Sequence, residues 1–252
     1  MTRRRWIADE VSGNTAALVG EHAAHLARVL RAEVGQEFDI AAGEEVRRGT
    51  ITTISYDRIE FALGAKQHLR LRSGAPKITV ALAIFKFDRL EWAIEKCTEI
   101  GVARIIPVIA RRTDAHLASA AVKRRERWQR IVRQASEQAR RSAPPEVAAP
   151  VKLKDLGGDG VLAADALRVV LDESLAGSEG DTRLGAILQS HSSAVATDDE
   201  VTLAVGPEGG WSDGELSWFY EDGWVQASLG DTILRAETAA IVATALAFDA
   251  LR

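Results

Sequence analysis

The chain has 252 residues, 46% of them hydrophobic and 27% charged, with a formal net charge of −4 and a single cysteine. This composition supplies a core for one large α/β domain, or for a small domain and a medium one. One cysteine excludes an internal disulfide framework. The longest apolar run, residues 239–248, is far shorter than the roughly 20 residues of a membrane span. Because the arginines near the start precede no apolar stretch, we expect no secretory signal and a cytoplasmic location.

Residues 1–72 predict a small β-rich domain. Short alternating stretches rich in Thr, Ile and Phe are typical of strands separated by turns, and they occupy residues 38–40, 49–54 and 59–63. One short helix is expected over residues 22–30. The pattern indicates a barrel-like module, and the Ser-Gly-Ala-Pro sequence of residues 73–76 is the expected linker to the rest of the chain.

Beyond the linker, strands alternate with helices, which predicts a mostly parallel sheet. Apolar runs predict strands at residues 77–84, 104–109, 167–171, 201–205 and 225–229. Asp88 and Glu91 are expected to form a capping box for a helix that ends at Gly101. Cys97 lies on the apolar stripe of that helix, so we expect it in the core.

Basic charge is concentrated in residues 103–141, which carry eleven Lys and Arg against three Asp and Glu. Residues 142–252 carry six against nineteen. A single basic run is usually a solvated helix face. Here further arginines extend the pattern, at residues 3–5 and at Arg28 and Arg31, and arginine is well suited to bidentate phosphate contacts. We therefore favour a nucleic-acid partner over a solvated surface.

Two glycine-bearing loops near the C-terminus are the most informative segments. Residues 205–211 read Val-Gly-Pro-Glu-Gly-Gly-Trp, and residues 229–239 read Leu-Gly-Asp-Thr-Ile-Leu-Arg-Ala-Glu-Thr-Ala. Each follows a predicted strand, and ligands of open α/β sheets lie outside the carboxyl ends of strands. Ser212 and Glu215 are expected to form a capping box for the next helix, and Gly223 to end it. The residues alone support a binding site and simple turn chemistry about equally.

Several other chemistries lack support in the sequence. No G-x-G-x-x-G follows a strand, and no Lys-Ser/Thr follows residues 206–210, so neither a dinucleotide fold nor a P-loop is expected. His22 and His25 form an i,i+3 pair without a third ligand at suitable spacing, so we expect no metal site.

The chain resembles the SPOUT-class RNA methyltransferases, and within them the ribosomal RNA small subunit methyltransferase E family. The similarity rests on Gly-Pro-Glu-Gly-Gly at residues 206–210, Leu-Gly at 229–230 and Ile-Leu-Arg-x-Glu-Thr-Ala at 233–239. Further similar segments are residues 25–31, Lys86 with Asp88, and residues 96–102, 127–128 and 137–138. The resemblance implies a PUA-like β-barrel RNA-binding domain over residues 1–72. It also implies a SPOUT domain over residues 73–252, with a mostly parallel sheet and a C-terminal trefoil knot.

The same resemblance implies a reaction, a cofactor and an assembly. The reaction is methylation of N3 of one uridine in 16S ribosomal RNA of the small subunit, with S-adenosyl-L-methionine as donor, by a homodimer. The residues implied to hold the donor are Leu171, Val205, Gly206, Pro207, Glu208, Gly209, Gly210, Leu229, Gly230, Ile233, Leu234 and Thr238. Asp231 and Thr232 stand where the family usually has Pro-Arg, which removes a possible charge contact near the donor loop.

The catalytic candidates are Arg235 and Glu237. Loss of the N3 proton spreads negative charge over the uracil carbonyls, and a guanidinium beside them would stabilise the anion. Arg235 would supply that charge, with Glu237 as its orienting partner or as a proton acceptor. Without the resemblance, a plain ion pair at the start of a helix is the simpler interpretation. No residue is identified as the general base.

The target base must be splayed out of the RNA before reaction, which requires a grip on the phosphates. The candidates for RNA contacts are Arg3, Arg4, Arg5, Arg28, Arg31, Lys86, Arg89, Arg111 and Arg112. Two alternative functions remain open at this stage. One is another knotted methyltransferase, acting on tRNA or on a ribose 2′-hydroxyl, and the other is a non-catalytic RNA-binding or ribosome-assembly protein.

Overall fold

The computed structural model describes residues 4–43, 45–67, 76–177, 182–192 and 200–251, except for the side chains of Gln67 and Ser192. The chain divides into two compact units, Met1–Leu71 with Arg133–Pro144, and Arg72–Val132 with Pro145–Arg252. The expected linker lies outside the described residues except for Pro76, and Arg3 also lies outside them. The sequence pattern gave no indication that residues 133–144 group with the first unit.

The first unit contains a six-stranded sheet in its described part. Its strands are β1 Arg5–Ile7, β2 Glu10–Ser12, β3 Thr15–Val19, β4 Glu37–Ala42, β5 Glu45–Ile54 and β6 Arg58–Gln67. The strand order is β1-β4-β5-β6-β3-β2. β1 runs parallel to β4, and the other neighbours are antiparallel. The three predicted strands lie within β4, β5 and β6, whereas β1, β2 and β3 were not predicted.

The helix expected over residues 22–30 is present in an irregular form. It begins as α1, Glu21–Ala24, and continues as a π-helical turn over His25–Val29. Leu26 of this turn is fully buried, and it belongs to the core of the first unit together with Trp6 of β1 and Phe61 of β6. The helix therefore covers one face of the sheet.

Residues 133–144 are joined to the N-terminal strand by a buried carboxylate. Glu137 is fully buried, and its Oε2 accepts a hydrogen bond from Arg4 Nη2 at 2.6 Å. Its Oε1 accepts from the backbone N–H of Ile7 at 3.3 Å. Arg133 Nη2 donates to the Ile7 carbonyl at 2.5 Å, and Arg133 Nη1 lies 2.7 Å from Asp9 Oδ1. These charge-assisted bonds account for the grouping of this segment with the first unit.

The second unit contains a parallel sheet of seven strands in its described part, which confirms the expected α/β class. The strands are β7 Lys77–Ala83, β8 Arg104–Ile109, β9 Glu146–Val147, β10 Val151–Lys152, β11 Leu167–Leu171, β12 Glu200–Val205 and β13 Val225–Ala227. Both β9 and β10 pair with β8, and the order continues β8-β7-β12-β11-β13. Every pairing is parallel.

Helices cover both faces of this sheet. They are α2 Phe87–Ile100, α3 Ala115–Gln138, α4 Leu184–Ser192, α5 Asp213–Glu221 and α6 Ala236–Ala250. Val80 and Leu82 of β7 belong to the core with α2 and α6, whereas Ala81 and Ala83 belong to the core with α5. Alternate residues of β7 thus face opposite layers, which explains why its apolar run is nearly continuous. Within the described residues, no helix is both long and apolar enough to cross a membrane.

The start of α2 differs from the expected capping box. The N-cap is Lys86, two residues before Asp88, so Glu91 is not at the third helical position. Instead, the Glu91 carboxylate accepts hydrogen bonds from Arg127 Nε at 2.8 Å and from Arg124 Nη1 at 3.0 Å. The expectation was wrong because two arginines of α3 provide the partners of this buried carboxylate. Gly101 ends the helix as expected, with φ 129°.

Cys97 lies in the core between α2 and α6, as expected, and the Thr244 hydroxyl donates to its Sγ at 3.5 Å. Burial raises the pKa of the Cys97 thiol from its ordinary 9.0 to about 11. Between these values the unfolded chain releases the proton and the folded chain keeps it. The free energy of unfolding therefore falls as pH rises through this window, by about 1.4 kcal/mol per pH unit.

We expect Cys97→Ala to remove this part of the alkaline loss of stability. Urea unfolding of both proteins at about pH 8 and about pH 10 measures it, since all other titrating groups are common to the two. Equal losses in the two proteins would show that the thiol does not retain its proton in the folded state.

Candidate functional site

A pocket lies at the carboxyl edge of the parallel sheet, where β12, β11 and β13 are neighbours. Its volume is about 260 Å³, and its lining comes from residues 171–176, 205–211 and 227–239. The two glycine loops thus contribute to one pocket. This arrangement follows from the parallel sheet, because loops after adjacent strands meet at the same edge.

Most of the residues expected to hold a donor line this pocket. They are Leu171, Val205, Gly206, Pro207, Glu208, Gly210, Leu229, Gly230, Ile233 and Leu234, and Arg235 lines it as well. Gly209 and Thr238 were also expected there and are not among the lining residues, and neither is Glu237. Gly209 uses its carbonyl outside the pocket, where it accepts a hydrogen bond from the Arg112 guanidinium.

Other lining residues were not expected from the sequence. They are Asp172, Glu173, Ala176, Trp211, Ala227, Ser228, Thr232, Ala236 and Ala239. The first three follow β11 and come before Gly177, the glycine that marks this loop in the sequence. The available signal was positional, because residues after a predicted parallel strand reach the same sheet edge as the glycine loops.

The loop of residues 206–210 is tight and requires glycine. Gly210 has φ 68°, and its N–H donates to the Pro207 carbonyl at 2.9 Å. A Cβ at Gly210 would lie 2.8 Å from Cδ of Glu173, and a Cβ at Gly206 would lie 3.2 Å from Nε1 of Trp211. The main chain therefore passes directly over two pocket side chains, in a conformation that other residues rarely adopt.

Three of the cations expected to contact RNA lie against this loop. Arg112 Nη1 donates to the carbonyls of Gly209 and Trp211, the latter at 3.2 Å. Arg89 Nη1 lies 3.1 Å from Glu208 Oε1, and Lys86 Nζ lies 3.8 Å from Glu208 Oε2. Arg112 thus braces the main chain, and the two other cations hold the one acidic side chain of the loop.

Helix α5 begins directly after this loop with the expected cap. Ser212 and Glu215 form the capping box, and the Ser212 N–H donates to Glu215 Oε2 at 2.8 Å. Glu215 Oε1 also accepts from the backbone N–H of Arg111 at 2.7 Å. Gly223, with φ 79°, follows the end of the helix. The cap therefore joins the loop after β12 to the loop after β8.

Arg235 and Glu237 do not form the expected ion pair. Arg235 is the N-cap residue of α6, is exposed, and has no ion-pair partner within the described part of the chain. Glu237 is buried, its Oε1 lies 3.9 Å from Arg89 Nη1, and its Oε2 has no hydrogen-bond partner among the described residues. Arg235 therefore lines the pocket without Glu237 beside it as an ion-pair partner.

The sequence of residues 73–247 matches the RNA methyltransferase domain family. The chain is 31% identical to ribosomal RNA small subunit methyltransferase E of Synechocystis, over 94% of this chain and 74% of that protein. It is 32% identical to the protein of the same name from Mycobacterium bovis, over 92% and 85% of the two chains. The chain belongs to the ribosomal RNA small subunit methyltransferase E family.

A solved structure of this family has the same fold. It is the Neisseria gonorrhoeae ribosomal RNA small subunit methyltransferase E bound to S-adenosyl methionine, with a TM-score of 0.80 and 27% identity. The similarity covers 96% of this chain and 95% of that one. The similarity thus includes both units of this family member.

The arginines of the first unit that were expected to contact RNA divide into those bound by other residues of the protein and those that are exposed. Arg5 is buried and donates to the carbonyl of Arg140, and burial lowers its pKa, so its expected phosphate contact is wrong. Arg4 is half-buried on Glu137 and lies 4.9 Å from the Trp6 ring centroid. Arg28 and Arg31 are exposed, and they remain candidates for RNA contacts.

No group of three His, Cys, Asp or Glu side chains suited to a metal ion occurs among the described residues.

Proposed function

We propose that this chain transfers a methyl group from S-adenosyl-L-methionine to N3 of a uridine in 16S ribosomal RNA of the small subunit. One observation carries the proposal: both signature loops line a single pocket, at the carboxyl edge of the parallel sheet. The names of the relatives and the S-adenosyl methionine bound to one of them support the same reaction.

The pocket residues fit this donor. Leu171, Val205 and Ala227 at the strand ends offer an apolar floor for an adenine ring. Glu173 is exposed at the pocket and has no ion-pair partner within the described residues, so its carboxylate offers a counter-charge to a cationic ligand. The glycine backbone at Gly206 and Gly210 permits close approach of a ligand. When bound, the donor supplies an electrophilic methyl carbon, and the transfer needs no metal.

Two side chains would act on the uracil. The exposed Arg235 guanidinium at the pocket would stabilise the anion left after the N3 proton departs. Glu237 does not line the pocket, but its buried Oε2 has no hydrogen-bond partner among the described residues, which suits a proton acceptor or an orienting group for the base. Fixing donor and base in one geometry would itself remove several kcal/mol of the barrier.

The proposal extends to the fold and the assembly. We propose a PUA-like domain over residues 1–72, a SPOUT domain with a trefoil knot over residues 73–252, a homodimer, and a cytoplasmic location. The six-stranded sheet supports the PUA-like domain, and the adjacent loops after β12 and β13 support the SPOUT domain. Light scattering of the purified protein would test the dimer.

The reaction is tested directly with purified protein, radiolabelled S-adenosyl-L-methionine and small subunits from a strain that lacks the modification. We expect label in 16S RNA and 3-methyluridine in its nuclease digest, analysed by mass spectrometry. Label on a ribose of 16S RNA, or on tRNA in a parallel reaction, would contradict the proposed target. Calorimetry that shows no binding of the donor would contradict the proposed function as a whole.

A further inference from the structure

A second pocket, of about 380 Å³, lies beside the loop after β8. Its lining includes Arg111, the neighbouring cations Lys152 and Lys154, and Trp218 of α5. We call it the Arg111–Trp218 pocket. All of these residues belong to the second unit.

The charge of this pocket is not neutralised by ion pairs. Arg111, Lys152 and Lys154 are exposed, and none has an ion-pair partner within the described residues. The acidic side chain of the lining is Glu215, which is buried and bound by backbone N–H groups of Arg111 and Ser212. Its charge is therefore satisfied inside the protein, and the three cations remain available to a polyanion.

An aromatic wall distinguishes this pocket from an ordinary basic surface. Trp218 is half-buried and packs edge-on against Phe219, with ring centroids 5.2 Å apart. Part of its ring therefore lines the pocket beside the cations. Positive charge next to an exposed aromatic ring is the combination that binds single-stranded nucleic acid, because phosphates contact the charges and a base stacks on the ring.

The loop of residues 206–211 links this pocket to the donor pocket. Gly210 and Trp211 of the loop line the donor pocket, and α5, which follows the loop, contributes Trp218 to the second pocket. Arg112, the residue after Arg111, braces the loop through the carbonyls of Gly209 and Trp211. The loop of residues 206–211, with the helix that follows it, therefore contributes to the walls of both pockets.

We propose that the Arg111–Trp218 pocket binds an unpaired nucleotide of the RNA substrate that flanks the methylated uridine. This inference rests on the proposed function and names a subsite for its substrate. Lys152 and Lys154 contact the phosphates, and Trp218 stacks on the base. The subsite holds the strand while the target uridine enters the donor pocket.

The test measures binding of a fluorescein-labelled oligouridylate of about ten nucleotides by anisotropy over a series of salt concentrations. We expect the double variant Lys152→Ala/Lys154→Ala to bind about tenfold more weakly. Its salt slope should fall by about 1.4, since each phosphate contact contributes about 0.7 on a single strand. The control is Lys77→Ala, which removes an exposed lysine outside both the pocket and the basic segment of residues 103–141 and should bind much like the parent.

The stacking part is tested separately by Trp218→Ala and Trp218→Phe. We expect about tenfold weaker binding for the alanine variant and near-parent binding for the phenylalanine variant, which keeps a ring. Thermal unfolding of both variants shows whether the fold is retained.

Two results would overturn the subsite. One is the pocket double variant behaving like the Lys77→Ala control, and the other is Trp218→Ala binding RNA like the parent. Titration of each variant with S-adenosyl-L-methionine separates this inference from the proposed function. Donor binding with no effect of the pocket variants on RNA binding removes the subsite alone. RNA binding through the pocket without donor binding would instead contradict the proposed methyl transfer.

Discussion

Replacement of Arg235 with alanine is expected to slow methyl transfer by at least about 100-fold and to leave donor affinity nearly unchanged. The guanidinium lies at the pocket without an ion-pair partner in the described structure, so its charge is available to the substrate anion. Removal of a preorganised charge that acts mainly in the transition state lowers the rate constant more than it lowers binding.

Single-turnover assays on small subunits give the rate, and calorimetry with S-adenosyl-L-methionine gives the affinity. Arg183→Ala is a matched control, because Arg183 is also exposed and pairs with Asp231 of the same loop at 2.8 Å, yet it does not line the pocket. Arg235→Lys should fall between the parent and the alanine variant, since it keeps the charge and loses the planar fork. A rate for Arg235→Ala close to that of the control would remove Arg235 from the mechanism.

Replacement of Gly210 with alanine is expected to weaken donor binding by about tenfold or more. Alanine at φ 68° costs about 1–2 kcal/mol, and the added Cβ would lie 2.8 Å from Cδ of Glu173. The loop must then either change its conformation or displace Glu173, and both changes alter the pocket wall.

Calorimetry against the matched variant Gly209→Ala isolates this effect. A Cβ at Gly209 would lie 3.4 Å from Cδ of Arg112, an ordinary contact, so we expect nearly parental affinity. Adding Glu173→Ala to Gly210→Ala completes a double-mutant cycle that separates the contact with Glu173 from the backbone strain. Parental affinity in Gly210→Ala would show that the donor does not need this loop conformation.

The sequence predicts those strands and helices whose hydrophobic pattern alone determines their secondary structure. The strands β7, β8, β11 and β12 are buried on both faces, so their apolar runs are nearly continuous and mark them clearly. β2 was missed because it has only three residues and all of them are exposed, so it shows no alternation of buried and exposed side chains. β1 is equally short, and its place beside β4 depends on pairing with a strand more than thirty residues later.

The errors at individual side chains have a common cause. Glu91 was assigned to a helix cap, yet its partners are Arg124 and Arg127 on another helix. Glu237 was assigned to Arg235, two residues away, and lies instead near Arg89. Local spacing favours short-range partners, whereas the tertiary structure brings in cations that are distant in the sequence.

The residues of the donor pocket also divide into those that local sequence predicts and those that only the tertiary structure brings together. Its glycine loops were predicted from residue type, because glycine and proline are needed where the main chain turns tightly. Glu173 was missed because an acidic residue at the start of a loop carries no local signal of its own. Its position next to Gly210 depends on the parallel pairing of β11 with β12.

The brace that Arg112 makes to the carbonyls of Gly209 and Trp211 has a thermodynamic consequence. If RNA occupies the proposed Arg111–Trp218 pocket, we expect ordering of the residues around Arg111 to order the wall of the donor pocket as well, which would couple the two binding events. Coupling free energies are reciprocal: if the methyl donor tightens the hold on RNA by some factor, RNA tightens the hold on the donor by that same factor. Order of addition would then change the rates of assembly without changing the stability of the ternary complex.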